Sequence, residues 1–274
     1  MRVFSRWLVN TPDIELWPGG LLRARSNADA RILSRAQRVL RRKRDGRYLA
    51  ALLPEGMQAL MPRWIHEAGT GAALDVLDGL RTDRGFDSDA WGTLPLAHLM
   101  ERLDRLGLDD SYGARTGLEL VAEPAALCLA GRDRYDRPLW LAAGAARAWN
   151  AMRHAAHAEG IVLDAISGYR SHDYQLGIFE RKLSRGQTIE QILGVNAAPG
   201  YSEHHSGHAL DIGAPGEPPA EESFEATAAF AWLAAHADKF HFRMSYPRDN
   251  PHGIVYEPWH WYFLPPPSTP LEAT

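Results

Sequence analysis

Cysteine is nearly absent. A single one, Cys128, in 274 residues excludes an intramolecular disulfide and any zinc site built from several thiolates. It lies in the apolar run Ala125–Ala130 and reads as a small buried hydrophobe. No apolar run approaches the ~18 residues that a membrane-spanning helix needs. The first ten residues are interrupted by Arg6 and Asn10 and lack the apolar stretch of a signal peptide. A cytoplasmic location is therefore expected, or a periplasmic one if a leader has been removed. The pattern His-Glu-x-x-His is missing, which excludes that class of zinc peptidase. Gly-x-Ser-x-Gly and a nucleophilic Ser-x-x-Lys are missing too, which argues against a serine mechanism. Neither charge sign dominates: 30 basic and 34 acidic residues leave a net charge of −4. With 45% apolar and 23% charged residues, the chain is neither disordered, collagenous nor a coiled coil. Its length allows one large or two ordinary domains with a full core.

Histidine is what the chain has in excess. There are twelve, crowded into the second half, and imidazole is the commonest metal ligand.

The first ~115 residues read as mainly helical. Ser26 or Asn27 can cap a helix carrying Ile32, Leu33, Ala36, Val39 and Leu40 at helical spacing. Further helices are expected near Pro54–Ala68, Gly71–Leu80 and Leu94–Leu106. Between Leu21 and Tyr48 stand ten Lys/Arg against two Asp, read as a solvated helix face and a basic turn. The alternative is an anion-binding patch. No aromatic residues interleave the arginines, so no nucleic-acid partner is expected. From about residue 116 the character changes. One or two strands are expected within Leu118–Leu129, and an Ala-rich helix over Leu141–His157. Strands fit Ile161–Ile166, His208–Ile212, His241–Tyr246 and Trp259–Leu264. Helices fit Asp173–Ser184, Thr188–Leu193 and Ser223–Ala237. The fold class is α+β with a small, mostly antiparallel sheet flanked by helices. Residues 266–274 form a Pro-rich tail that cannot join a sheet.

The chemistry concentrates in a few segments. In Ser202-x-His204-x-x-Gly207-x-Ala209-x-Asp211, a histidine and an aspartate are seven apart across a glycine, which suits a tight hairpin serving one metal. A catalytic zinc takes three protein ligands from His and carboxylates and keeps one position open. His260, in the aromatic strand Trp259–Phe263, is the best third ligand. Glu257 lies three before His260, and Pro258 argues against a helix there. Glu257 is therefore expected on the loop before the strand, leaning over the metal as a proton carrier. Arg170, in Ser167-Gly168-Tyr169-Arg170-Ser171, can hold a carboxylate in two bonds or stabilise an oxyanion. The remaining histidines, among them His154, His157, His205 and His252, read as structural or solvent-facing.

These segments resemble the LAS metallopeptidases, and within them the VanY-type D-alanyl-D-alanine carboxypeptidases, over about Leu118–Phe263. The resemblance implies a catalytic domain at 116–265, preceded by an N-terminal region (1–115) of unassigned role. It implies Zn2+ on His204, Asp211 and His260, with Glu257 as general base and acid. Arg170 would bind and polarise the substrate. Gln175 and Ser202 would line the pocket for its terminal carboxylate, with Tyr169 and Trp259 as further substrate contacts. Many relatives carry Arg-Tyr-Pro where this chain has Ser245-Tyr246-Pro247, so no role for that arginine transfers. The implied activity is hydrolysis of the terminal peptide bond of a peptidoglycan stem peptide or muropeptide. D,D-dipeptidase, L,D-carboxypeptidase, endopeptidase or a non-catalytic peptide-binding module are the alternatives. The oligomeric state stays open.

Overall fold

The computed structural model describes residues 6–82, 91–96, 99–108 and 111–266, with residues 81 and 82 by backbone alone. Its strands form two sheets, both antiparallel throughout. Five strands come from the first 60 residues: β1 (Trp7–Asn10), β2 (Ile14–Pro18), β3 (Arg38–Arg42), β4 (Tyr48–Leu53) and β5 (Gly56–Ala59). With β6 (Ala126–Arg132) and β7 (Pro138–Leu141) they make a seven-stranded sheet in the order β5-β4-β3-β2-β1-β6-β7. The second sheet has the order β10-β11-β9-β8, from β8 (Asp164–Ser167), β9 (Ala209–Gly213), β10 (Phe242–Met244) and β11 (His260–Phe263). Among the described residues no helix is long and apolar enough to cross a membrane.

The α+β architecture of the C-terminal half is as expected, but the N-terminal region is not mainly helical. Helix α1 (Asn27–Leu33) is capped by Ser26, as expected, but it ends at Leu33. Val39 and Leu40 lie on β3. Val39 packs with Leu33, Ala51 and Leu53, whereas Leu40 packs with Val9, Leu16, Leu49 and Leu77. Neighbouring residues thus face opposite sides of a strand. Helix α1 covers one side of the sheet and α2 (Thr70–Thr82) the other. A sheet buried on both faces loses the apolar–polar alternation that announces a strand, so its apolar residues can mimic helical spacing. The helix expected over Pro54–Ala68 is also absent. Pro54 and Glu55 turn β4 into β5, and a 3-10 turn follows at Trp64–His66.

The basic stretch is a solvated helix face and turn only in part: Arg31 on α1 and Arg44 and Arg47 in the turn after β3 are exposed. Arg38, Arg42 and Lys43 are buried. Arg41 pairs with Glu15, Arg42 with Asp45 and Glu67, and Lys43 with Glu123. The charge of Arg41, Arg42 and Lys43 is neutralised inside the fold, while Arg23, Arg25, Arg31, Arg35, Arg44 and Arg47 stay exposed.

In the second half the helices fall close to where periodicity places them. After α3 (Leu99–Arg105) and α4 (Ser111–Thr116) come α5 (Ala143–Ala158), α6 (His172–Leu183), α7 (Ile189–Leu193) and α8 (Ala228–His236). Helix α5 buries Ala145, Ala146, Trp149, Met152 and Ala156, spaced three and four apart, against Leu210, Ile212, Trp261 and Phe263 of the four-stranded sheet. Each large apolar side chain so covered stabilises the fold by about 1.5–3 kcal/mol. Cys128 is half-buried at the edge of this core. The strand expected from Leu118 begins at Ala126, and the helix expected from Ser223 is a 3-10 turn before Thr227 caps α8. Strand β6 pairs with β1 and β7 pairs with β6, so the seven-stranded sheet runs across position 115/116. Of the expected tail, all but residue 266 lies outside the described residues.

Candidate metal centre and catalytic pocket

Strands β9 and β11 pair with Asp211 directly opposite His260. Opposed residues of an antiparallel pair project from one face, so the register alone brings these side chains together. His204 arrives from a 3-10 turn, Glu203–Ser206, and not from the expected hairpin. The turn enters β9 through Gly207 at φ +71°. A Cβ there would stand 2.6 Å from Leu127 Cδ2 and 2.9 Å from the Ala142 nitrogen, so both conformation and space call for glycine.

His204 Nε2 lies 3.2 Å from Asp211 Oδ1, and His260 Nδ1 lies 3.1 Å from the same oxygen. The three candidate ligand atoms fall within 4.8 Å of one another, and all three residues are buried. The other ring nitrogens are occupied. His204 Nδ1 donates to the Gly168 carbonyl at 2.7 Å, and His260 Nε2 donates to Glu203 Oε2 at 2.9 Å. A neutral imidazole that donates from one nitrogen offers a lone pair at the other. His204 therefore turns an acceptor nitrogen toward Asp211 Oδ1, and His260 offers one there once its ring gives up a proton. Zinc with 2.0–2.1 Å bonds in a tetrahedron needs ligand atoms about 3.3 Å apart, close to the two separations found. The residues fit a divalent cation.

The electrostatics agree. Burial, reinforced by Arg170, pushes His204 down to about 4, so its ring is neutral near pH 7. Burial opposes ionisation of Asp211, yet His204 and Arg170 hold it well below the usual carboxylate range. Burial pulls His260 down as well, but hydrogen bonds to Asp211 and Glu203 carry it up to about 10. A proton therefore sits there until a cation displaces it.

Glu257 occupies the expected loop before β11. Its N–H donates to the Tyr246 carbonyl at 3.0 Å, and its own carbonyl accepts from the His260 N–H at 3.1 Å. These bonds leave Oε2 3.9 Å from His260 Nδ1. Burial lifts the Glu257 carboxyl to about 7, with His260 opposing and Asp211 adding to the rise. Such a group can both take and return a proton near neutrality. Arg170 donates from Nε to Ser167 Oγ at 2.9 Å and from Nη2 to Asp211 Oδ2. The two oxygens of Asp211 are thus divided, Oδ1 toward the imidazoles and Oδ2 toward the guanidinium.

A cavity of about 310 Å³ opens on the triad and Glu257, and Arg170, Gln175, Ser202 and Trp259 line it as well. Gln175 Nε2 donates to the Ala197 carbonyl at 2.9 Å, which fixes the amide orientation. Its buried Oε1 has no partner among the described residues. Tyr169 is not brought into this cavity. Its hydroxyl donates to Glu123 Oε2 at 2.5 Å, and its ring lines a neighbouring cavity. A buried tyrosine hydroxyl needs a partner, and the carboxylate supplies one on that side.

Three further residues escape a reading by spacing. Glu203 holds His260; its one sequence signal is its place beside His204. The Tyr246 ring packs against His260 with centroids 4.9 Å apart. Lys182, near the end of α6, lines the cavity. His205, next to His204, is structural: it accepts the Gly200 N–H at 3.0 Å and packs edge-on against His172.

Residues 138–266 match the family model of D-alanyl-D-alanine carboxypeptidase, VanY. The chain is 40% identical over 125 residues to YodJ of Bacillus subtilis (strain 168), a carboxypeptidase by designation, covering 44% of this chain and 45% of that protein. It is 31% identical over 115 residues to the D-alanyl-D-alanine carboxypeptidase of Enterococcus faecium, covering 40% and 36%. The chain thus spans less than half the length of these curated relatives. Among solved structures it is similar to the LD-carboxypeptidase LdcB, at 35% identity over 45% of this chain and 59% of that one, with a TM-score of 0.43. It is also similar to a vancomycin-resistance D,D-pentapeptidase VanY in complex with Zn(II), at 25% identity over 56% and 82%, with a TM-score of 0.40.

Proposed function

We propose that this chain, whose residues 138–266 match the VanY family model, is a zinc-dependent D-alanyl-D-alanine carboxypeptidase acting on peptidoglycan stem peptides or their precursors. The observation that carries the reading is the convergence of His204 Nε2 and His260 Nδ1 on Asp211 Oδ1, with the Glu257 carboxyl beside them.

His204 Nε2, Asp211 Oδ1 and His260 Nδ1 would hold the ion. When bound, zinc supplies a Lewis acid that makes a water more acidic and polarises a carbonyl. Glu257 takes the proton from the attacking water and returns it to the departing amine, a role that its place beside the candidate ligands allows. Arg170 has donors left after binding Ser167 and Asp211, and these stabilise the developing oxyanion. The unpartnered Gln175 Oε1 accepts a substrate N–H, and Ser202 and Trp259 shape the wall around it.

The test pairs metal analysis with product masses. The purified protein is assayed for bound metal and incubated with UDP-muramyl pentapeptide, the tetrapeptide and free D-Ala-D-Ala. About one equivalent of zinc per chain and loss of a single alanine from the pentapeptide are expected. Release of two residues at once, or cleavage of the tetrapeptide alone, would reassign the bond. Tight peptide binding by the zinc-loaded protein with no product would make it a binding module.

A further inference from the structure

One carboxylate grips both flanks of the segment that carries Arg170. Glu123 Oε2 accepts from the Tyr169 hydroxyl at 2.5 Å, and Glu123 Oε1 accepts from the backbone N–H of His172 at 2.8 Å. Arg170 and Ser171 are the two residues between those anchors. The second anchor is the first residue of α6, where free N–H groups and the helix dipole favour a negative charge. Asn10 of β1 and Lys43, in the turn that follows β3, complete the cluster. Lys43 Nζ donates to Glu123 Oε2 at 2.5 Å, and Asn10 Nδ2 donates to the Tyr169 hydroxyl oxygen at 3.1 Å. Lys43 is wholly buried, and it lines a cavity of about 190 Å³ together with Tyr169 and Arg170. Asn10, Lys43 and Glu123 all lie outside the 138–266 family match.

A buried ion pair is a poor means of adding stability, because desolvation offsets most of the attraction and an apolar pair of similar volume serves as well. What charged hydrogen bonds add is direction. Here the direction is imposed on the residues either side of Arg170, whose N–H also donates to the His204 carbonyl at 3.2 Å.

We propose that Lys43 and Glu123 are positioning residues for Arg170: the N-terminal sheet, through this pair, anchors Tyr169 and the start of α6 and so sets where the guanidinium stands in the catalytic pocket. The inference rests on the reading of Arg170 as the oxyanion-stabilising group. It gives the first ~115 residues a catalytic purpose that the site motifs do not reveal.

Tyr169→Phe removes one hydroxyl and keeps the ring and the ion pair, so it is the primary variant. In the zinc-loaded enzyme, kcat on the pentapeptide falls about tenfold while KM changes less than about threefold, as expected when a transition-state contact is displaced. The same substitution in an Arg170→Lys background lowers kcat less than about twofold, because the two residues act as one unit. In the absence of substrate, amide exchange at Arg170 and His172 speeds up by about tenfold, since both lose the same restraint. Lys43→Met gives the same pattern with a larger drop; should it fail to fold, Tyr169→Phe still decides. An unchanged kcat in Tyr169→Phe, or an equal loss in both backgrounds, overturns the proposal. If the parent releases no alanine from any stem peptide, the functional reading fails. The exchange measurement then decides the positioning question by itself, and unaltered exchange at Arg170 overturns it.

Discussion

Glu123, at the junction with the N-terminal sheet, and Asp211, in the small C-terminal sheet, are equally buried at 4% exposure, and both are held ionised. Burial opposes ionisation of Glu123, but Lys43, His172 and the Tyr169 hydroxyl bring it to about 2. Asp211 is likewise held well down by His204 and Arg170. The two differ in what faces their oxygens. Glu123 meets donors: an ammonium, a hydroxyl and a backbone N–H. Asp211 Oδ2 meets a guanidinium, but Oδ1 lies between His260 Nδ1 and His204 Nε2, and the His204 ring has already spent its proton on the Gly168 carbonyl. An oxygen facing a nitrogen lone pair at 3.2 Å is relieved by a cation from outside the chain. Burial and acidity do not separate a structural carboxylate from a metal ligand here; the proton inventory of the neighbours does.

The comparison can be broken most sharply at its catalytic end. Glu257→Ala should lower turnover by about 10²- to 10⁴-fold while leaving bound zinc unchanged, since Glu257 moves protons and does not hold the ion. Metal content and kcat measured on the same preparation check it, and loss of metal would make Glu257 a ligand. At the structural end, Lys43→Met leaves Glu123 buried without its cation and should destabilise the fold by about 3–5 kcal/mol. Urea unfolding of the metal-free proteins reads this directly, and a change inside experimental scatter would dissolve the contrast.

Acid titration sharpens the same contrast. Glu123 stands at about 2 against an ordinary 4.5. A carboxyl depressed in the folded state contributes stability that is complete above its unfolded pKa and lost as pH falls through the folded one. Its contribution of about 3 kcal/mol should therefore fade between about pH 5 and about pH 2. The stability gap between parent and Glu123→Gln should narrow over that window, and a gap independent of pH would contradict the assignment. The smallest effect is expected at Glu203, which orients His260 without ligating. Glu203→Gln should weaken zinc binding about 10- to 100-fold in chelator competition, with turnover at saturating zinc much less affected.

Much of the candidate site was legible before any coordinates. Glycine at 207 and the seven-residue spacing brought His204 and Asp211 to one turn, whereas His260 and Glu257, nearly fifty residues further on, were named by residue type and by the family resemblance. Short spacings and local backbone preferences reach the first pair, and the register of β9 with β11 joins the rest. Tyr169 went to the other cavity because its hydroxyl is drawn to a carboxylate 46 residues earlier in the chain, and no local signal announces such a partner. The N-terminal strands were missed for a related reason. Val39 and Leu40 face opposite covered sides of one sheet, so the alternation that would have marked β3 is absent.

By itself the sequence determined the chemistry of the site: which residue types are present, their spacing along β9 and β11, and the glycine that lets the turn pass. Tertiary structure alone decided which nitrogens are left as acceptors, which carboxylate receives a cation from within the chain, and that Lys43 reaches the segment bearing Arg170. Local backbone geometry is written within a few residues, whereas hydrogen-bond donors, acceptors and buried charges are matched between segments that meet only when the sheets assemble.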